Sequence, residues 1–190
     1  NSWENALAVD PEGRLGPVFL EICVDVQGQE TTVPLGLTEF SSRIQAGAAP
    51  GLAKQANAVI DAVMRSSRPL LLLGGDVPRD FVEKNREAFL GWKIPIQTTW
   101  NGINTVSDDF PLYAGRPDNW GQRAANLIVQ QADTILAIGT RLGLQTTGFN
   151  WQGIAPGANI HQVYIDEAEG SKGHPHIVSF TRAGGEDFLN

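Results

Sequence analysis

Residues 68–76 read RPLLLLGGD, and the fold turns on how that stretch is taken. Leucines in an unbroken run, with no polar alternation, read as a strand buried on both faces, the kind found in a parallel sheet covered by helices. The Gly-Gly that follows ends the strand in a tight turn. Toward the N-terminus, Pro50 opens a helix in which Leu52, Ala56, Val59, Ile60 and Val63 recur at helical spacing. Toward the C-terminus, residues 78–91 predict a helix with Phe81, Val82, Ala88 and Phe89 facing the core, and IPIQTT (94–99) a short strand. Gly121 to Gln131 predict an amphipathic helix through Ala124, Leu127 and Ile128. DTILAIGT (133–140), NIHQVYID (159–166) and HIVSF (176–180) supply the remaining strands. Strands alternating with helices over short connections give an α/β fold: three layers, a mostly parallel sheet with helices on both faces.

A second apolar stretch, GPVFLEICVDVQ (16–27), stands apart from this alternation. It too reads as a buried strand. Only a polar, loop-like segment precedes it, so its own sheet is not evident in the chain. An orphan strand of this kind is expected to pack poorly or to pair with a second copy. Cys23, inside it, reads as a small buried hydrophobe. Residues 27–51, QGQETTVPLGLTEFSSRIQAGAAPG, are long and turn-rich for a connection within one domain and read as an interdomain linker.

Composition excludes several classes. A hydrophobic content of 42% with 18% charged residues describes a soluble globular protein, and the longest apolar run falls far short of a membrane span. A net charge of −7 argues against nucleic acid or an anionic membrane as partner, because no basic patch exists to release counterions. A single cysteine cannot form an internal disulfide, which points to a cytoplasmic protein.

In an open parallel sheet, ligands bind beyond the carboxyl ends of the strands. Those ends carry Gly74 and Gly75, Thr98 and Thr99, and Gly139 with Arg141 and Gly148. A phosphate or a flat ring could approach such backbone closely; equally, the glycines could serve only to end strands tightly. Arg141 reads either as a phosphate contact or as half of an ion pair. GxGxxG and GxxxxGK[ST] are both absent. His161 lies in a strand, and His174 and His176 read as solvated turn residues rather than metal ligands. Asp108 and Asp109 read as a turn. Asp166 reads as a helix cap, or as a carboxylate for a ribose hydroxyl. No serine, histidine and aspartate arrangement suggests a catalytic triad.

Taken together, the motifs resemble a family. GPVFLEICVDVQ resembles the strand that closes the pyrimidine-binding domain of acetolactate-synthase-like thiamine diphosphate enzymes. RPLLLLGGD, IPIQTTWNG, DDFPLYAG, NLIVQQADTILAIGTRL, FNWQGIAPGANIHQVYIDEAE and GGEDFL are similar, in order, to that family's central domain. The resemblance implies that residues 1–27 are the tail of a pyrimidine-binding domain, 28–49 a linker and 50–190 a Rossmann-like central domain. It implies an enzyme acting on 2-oxo acids or related carbonyl compounds, with thiamine diphosphate and Mg²⁺ held by the pyrimidine-binding and diphosphate-binding domains, and a homo-oligomer. The family's central domain holds FAD in some members and ADP in others. Its FAD pattern matches at Thr98, Thr99, Gly139, Arg141 and Gly148. It departs where charged residues are replaced by Gly143, Leu144 and Gln145, and where Tyr164 replaces an aspartate. A weakly occupied nucleotide cleft, without retained flavin, is therefore expected, and no thiamine diphosphate site. The alternatives are a free-standing FAD- or ADP-binding module of the electron-transfer-flavoprotein type and a ligand-free interaction domain.

Overall fold

A computed structural model of the chain describes residues 19, 21–30 and 50–189. The chain divides into two compact units, Asn1–Ala46 and Gly47–Asn190.

In the first unit the described residues form one short helix, α1 (Val24–Gln27), and all are exposed. The Cys23 carbonyl accepts hydrogen bonds from the backbone N–H groups of Val26 (3.0 Å) and Gln27 (3.2 Å). The strand expected over 16–27 is therefore corrected at its C-terminal end, where the chain turns helically. An extended segment needs a neighbouring strand to take its backbone hydrogen bonds, whereas a helical turn closes them locally. Cys23 is exposed rather than buried. Positions 16–18 and 20 of that stretch, and most of the expected linker, lie outside the described residues.

The second unit is built on a five-stranded sheet of order β2-β1-β3-β4-β5, with every neighbouring pair parallel. The strands are β1 (Pro69–Leu73), β2 (Ile96–Thr98), β3 (Thr134–Ile138), β4 (Asn159–Tyr164) and β5 (Ile177–Arg182). The leucine run behaves as expected of a strand covered on both sides. Leu71 and Leu73 join one core with Leu136 and Ile138, and Leu70 and Leu72 join the other with Ile135 and Ala137.

Helix α2 (Leu52–Arg65) places Leu52, Ala56, Val59 and Val63 in the first core, together with residues of α3 (Phe81–Lys84), α4 (Arg86–Trp92) and α7 (Gly185–Leu189). The continuous helix expected over 78–91 is split at Asn85, whose side chain donates to the Phe81 carbonyl at 2.9 Å. Ala88 is exposed, while Phe89 packs edge-on against Phe81 and Trp92.

Helix α5 (Arg123–Gln131) covers the second face, with the core stripe displaced by one residue from expectation. Ala125 and Val129 are buried, whereas Ala124 is exposed, Leu127 is 52% exposed and Ile128 37%. Both stripes have helical spacing, so periodicity alone does not choose between them. The smaller residues face the sheet.

The strand order reverses between β1 and β3, since β1 leads to β2 on one side and β3 lies on the other. This is the switch point at which open α/β sheets leave a crevice.

Candidate functional site

The crevice is a cavity of about 490 Å³ at the carboxyl ends of β1 to β4. Gly75 and Asp76 follow β1, and Thr99, Trp100 and Asn101 follow β2. Gly139, Thr140 and Arg141 follow β3, Gly143, Gln145 and Thr146 contribute around α6 (Leu144–Thr147), and Tyr164 and Lys172 complete the lining. Of the residues expected from sequence, Gly75, Thr99, Gly139 and Arg141 meet here. Gly74, Thr98 and Gly148 are not part of the lining. Thr98 is fully buried on β2, with its hydroxyl 3.3 Å from that of Tyr113. Gly148 ends α6 at a φ of 79°, a left-handed conformation that favours glycine.

The glycines are explained by how closely protein backbone packs against protein backbone. A Cβ on Gly74 would stand 2.0 Å from the Gly139 carbonyl oxygen, and one on Gly75 would stand 2.8 Å from that of Asn101. Gly139 has a φ of 66°, and a Cβ there would meet the Asp76 side chain at 2.9 Å. The neighbouring amides are occupied too. Gly74 N–H donates to Ile138 O (2.8 Å), Gly139 N–H to Val163 O (2.9 Å) and Thr99 N–H to Leu73 O (2.8 Å). Those amides are committed to knitting strand ends together.

Charge comes from side chains instead. Glu169 is only 2% exposed at the side chain, and Arg141 Nε donates to its Oε1 at 2.6 Å. The Lys172 ammonium pairs with Oε2 of the same carboxylate. Arg141 and Lys172 remain half-exposed, at 50% and 46%. Two cations on one buried anion leave these three side chains with a formal charge of +1, which the Asp76 carboxylate in the same lining offsets. Arg141 thus has the ion pair and keeps half of its side chain exposed in the cavity lining.

Glu169 belongs to a 3₁₀ turn, Glu167–Ser171, capped by Asp166, whose Oδ1 accepts from Ala168 N–H at 3.0 Å. The capping role for Asp166 is the one realised. Sequence reasoning did not find the Glu169–Lys172 partnership with Arg141. An i,i+3 acidic and basic pair just after a strand was the available signal.

The histidines are not simply solvated. His174 Nε2 lies 3.1 Å from Trp151 O, and its Nδ1 accepts from His176 N–H at 3.2 Å, so the neutral ring carries its proton on Nε2. His176 Nε2 lies 3.0 Å from Gln152 O. Burial holds His174 below the ordinary imidazole range, and it does the same to His161, whose Nδ1 is 2.7 Å from Ser179 Oγ. The Asp108–Asp109 turn is present as expected, with Ser107 Oγ donating to Asp109 at 2.5 Å. That hydrogen bond is the chief reason the Asp109 carboxyl lies below the ordinary carboxylate range.

Among the described residues no group of three or more His, Cys, Asp or Glu side chains could hold a metal ion, and the sequence contains no GDG. The residues present do not fit a Mg²⁺–diphosphate centre for thiamine diphosphate. Arg141 and Lys172 stand at the cavity's edge, and the hydroxyl, amide and aromatic groups of Thr99, Asn101 and Trp100 lie along it together with the Asp76 carboxylate.

Residues 56–184 match the family profile described as "Thiamine pyrophosphate enzyme, central domain". The chain belongs to that family. It is 30% identical over 168 residues to acetolactate synthase isozyme 2 large subunit of Escherichia coli K12, covering 88% of this chain and 30% of that protein. It is 34% identical over 170 residues to a probable chloroplastic acetolactate synthase 2 of rice, covering 87% of this chain and 25% of that protein. The chain thus spans less than a third of the length of these relatives. A crystal structure of benzoylformate decarboxylase from Polynucleobacter necessarius shares the fold, with a TM-score of 0.59 at 20% identity over 84% of this chain and 29% of the other. The thiamine-enzyme reading therefore stands over the free-standing flavoprotein module. No helix among the described residues is long and apolar enough to cross a membrane.

Proposed function

We infer that the chain is the central part of an acetolactate-synthase-like, thiamine-diphosphate-dependent enzyme that acts on 2-oxo acids or related carbonyl compounds in the cytoplasm. The match of the central-domain profile over residues 56–184 carries this reading. Thiamine diphosphate and Mg²⁺ would be held by other domains of the same polypeptide, those that bind its pyrimidine and its diphosphate. Residues 50–190 would supply scaffold and interface, residues 1–27 the end of the preceding domain, and 28–49 the connection. Surface chemistry supports an interface at the carboxyl ends of the strands. Trp120 is 81% exposed and Phe149 91%, and Asn119, beside Trp120, is tied to α6 by hydrogen bonds to the carbonyls of Leu144 and Gln145, each 3.3 Å. In this reading, Trp120 and Phe149 belong to the surface that another domain would cover.

The cavity itself would take an adenine nucleotide diphosphate weakly and would not retain flavin. A charge-assisted hydrogen bond contributes about 1.5–3 kcal/mol, against about 12 kcal/mol for nanomolar retention. Against the family's flavin-binding pattern, Gly143, Leu144 and Tyr164 would replace residues that hold ribityl and ribose hydroxyls. An absorbance spectrum of the purified chain is expected to lack the oxidised-flavin band, and a stoichiometric band would overturn this part.

The activity is tested on the full polypeptide that contains this segment, assayed for consumption of pyruvate and other 2-oxo acids with and without thiamine diphosphate and Mg²⁺. Cofactor-dependent turnover is expected. No turnover and no thiamine diphosphate binding by that protein would overturn the reading. The chain by itself is expected to show no thiamine diphosphate binding in calorimetry, and micromolar binding would contradict that.

A further inference from the structure

A second cavity, of about 280 Å³, lies beside β4 behind Arg141. By liquid volume it has room for about nine waters, the size of a small organic molecule. Leu142, Leu144, Trp151 and Ile177 give it an apolar wall. One group in that wall is unusual. Gln162, on β4, is 1% exposed, and its Nε2 donates to the Thr140 carbonyl at 3.0 Å. That bond fixes which way the amide is turned. The Oε1 is then a buried acceptor with no hydrogen-bond partner among the described residues. Buried polar groups are seldom left so, because an unmet acceptor carries a desolvation penalty.

The remaining polar groups differ from Gln162 in kind. Arg141 and Lys172 line this cavity as well as the first, and with Glu169 between them they leave a formal charge of +1. Arg141 commits Nε to Glu169, and its terminal nitrogens keep their donor capacity. Both ring nitrogens of His174 are already engaged with backbone, so this side chain contributes shape rather than a contact.

We propose that this cavity binds a small 2-hydroxy carboxylate with a branched or aromatic body. The carboxylate meets Arg141 and Lys172, the hydroxyl donates to Gln162 Oε1, and the body lies against Leu142, Trp151 and Ile177. A monoanion balances the +1 charge. A neutral hydroxyl suits the amide oxygen, whereas an ammonium group in the same place would be repelled by the two cations. A keto group has no proton to donate and would set two acceptors against each other. The site shares Arg141 and Lys172 with the first cavity, differs from it in Gln162 and the apolar wall, and does not require the proposed enzymatic activity.

Three probes with the same body separate these terms: 2-hydroxy-4-methylpentanoate, 4-methyl-2-oxopentanoate and leucine. Each is titrated into the 190-residue chain and followed by NMR at the Trp151 indole and the Gln162 side-chain amide. The hydroxy acid is expected to give saturable shifts at both groups, and the oxo acid and leucine to bind at least tenfold more weakly. Gln162→Met keeps side-chain bulk without the acceptor, and Leu144→Trp, at a half-exposed wall position, fills the cavity without touching the core. Each is expected to weaken hydroxy acid binding at least tenfold, and Leu144→Trp keeps the test decisive should Gln162→Met fail to fold. The proposal is overturned by an absence of saturable shifts, by shifts at the Trp100 indole in place of Trp151, by equal binding of the oxo acid or leucine, or by unchanged binding in Leu144→Trp.

Discussion

The two sides of the strand-end cavity are made of different materials. At the ends of β1, β2 and β3, glycine backbone packs against its neighbours at distances that exclude even a methyl group, and the amides of Gly74, Thr99 and Gly139 are bonded to protein carbonyls. On the side of β4, a buried carboxylate holds two half-exposed cations at the cavity's edge. The first side resembles a phosphate cradle in sequence, yet its glycines are required by the sheet. The second side, less conspicuous in sequence, is where a ligand's charge would be met. A glycine at a strand end is thus a statement about chain packing until its amide is shown to be uncommitted.

The largest effect that separates the two sides comes from adding one methyl group. Gly74→Ala must displace the Gly139 carbonyl, and should destabilise the domain by about 3 kcal/mol or more. Gly143→Ala, on the charged side, has nothing within 4 Å of the added carbon and should change stability by less than about 0.5 kcal/mol. Urea denaturation midpoints compare the two variants directly. Equal midpoints would dissolve the distinction.

A smaller effect probes the charged side. Arg141→Ala leaves Glu169 buried with Lys172 as its remaining charge partner. Both cations are half-exposed, so the loss is expected below that of a fully buried pair, at about 1–2 kcal/mol. Glu169→Gln removes the charge that Arg141 answers, so the double variant should cost less than the sum of the singles. Strict additivity in a double-mutant cycle would mean that the two residues do not act together.

The smallest effect is a pH dependence on the β4–β5 side. His161 and His174 have their folded pKa values lowered from 6.5, in both cases chiefly by burial. A lowered folded pKa means that the unfolded chain binds more protons below pH 6.5. The stabilisation is complete above that value and is lost as pH falls toward the folded pKa values. Imidazole NMR titrations should place both midpoints below 6.5, and urea midpoints should fall as the medium is acidified from pH 7. Midpoints above 6.5 would reverse the sign.

Much of this architecture was legible in residue patterns, and the failures have identifiable causes. β1 and β3 were readable because strands covered on both faces need long apolar runs that few other elements tolerate. Helix α5 was readable as a helix but not in its orientation. Ala124, Leu127 and Ile128 are as well spaced as Ala125 and Val129, and only the sheet decides which stripe is buried. The stretch at 16–27 has strand-forming residues throughout, yet Val24–Gln27 is helical, because strand propensity needs a partner that the described part of that unit does not provide. In the cavity, Gly75, Thr99, Gly139 and Arg141 followed from the rule that ligands meet strand ends. Glu169 and Lys172 did not follow, because their link to Arg141 spans 28 residues and forms only when the turn after β4 folds over the end of β3.

The central claim is that the charged side of the cavity, not the backbone amides at the strand ends, would meet a ligand's charge. Calorimetric titration of the 190-residue chain with ADP tests it most directly, using Arg141→Ala and Thr98→Ser as paired variants. The account predicts weak 1:1 binding that Arg141→Ala reduces at least tenfold and that Thr98→Ser, altered on the buried strand outside the cavity, leaves unchanged. ADP affinity that survives Arg141→Ala intact, or the absence of any ADP binding by the parent chain, would contradict it.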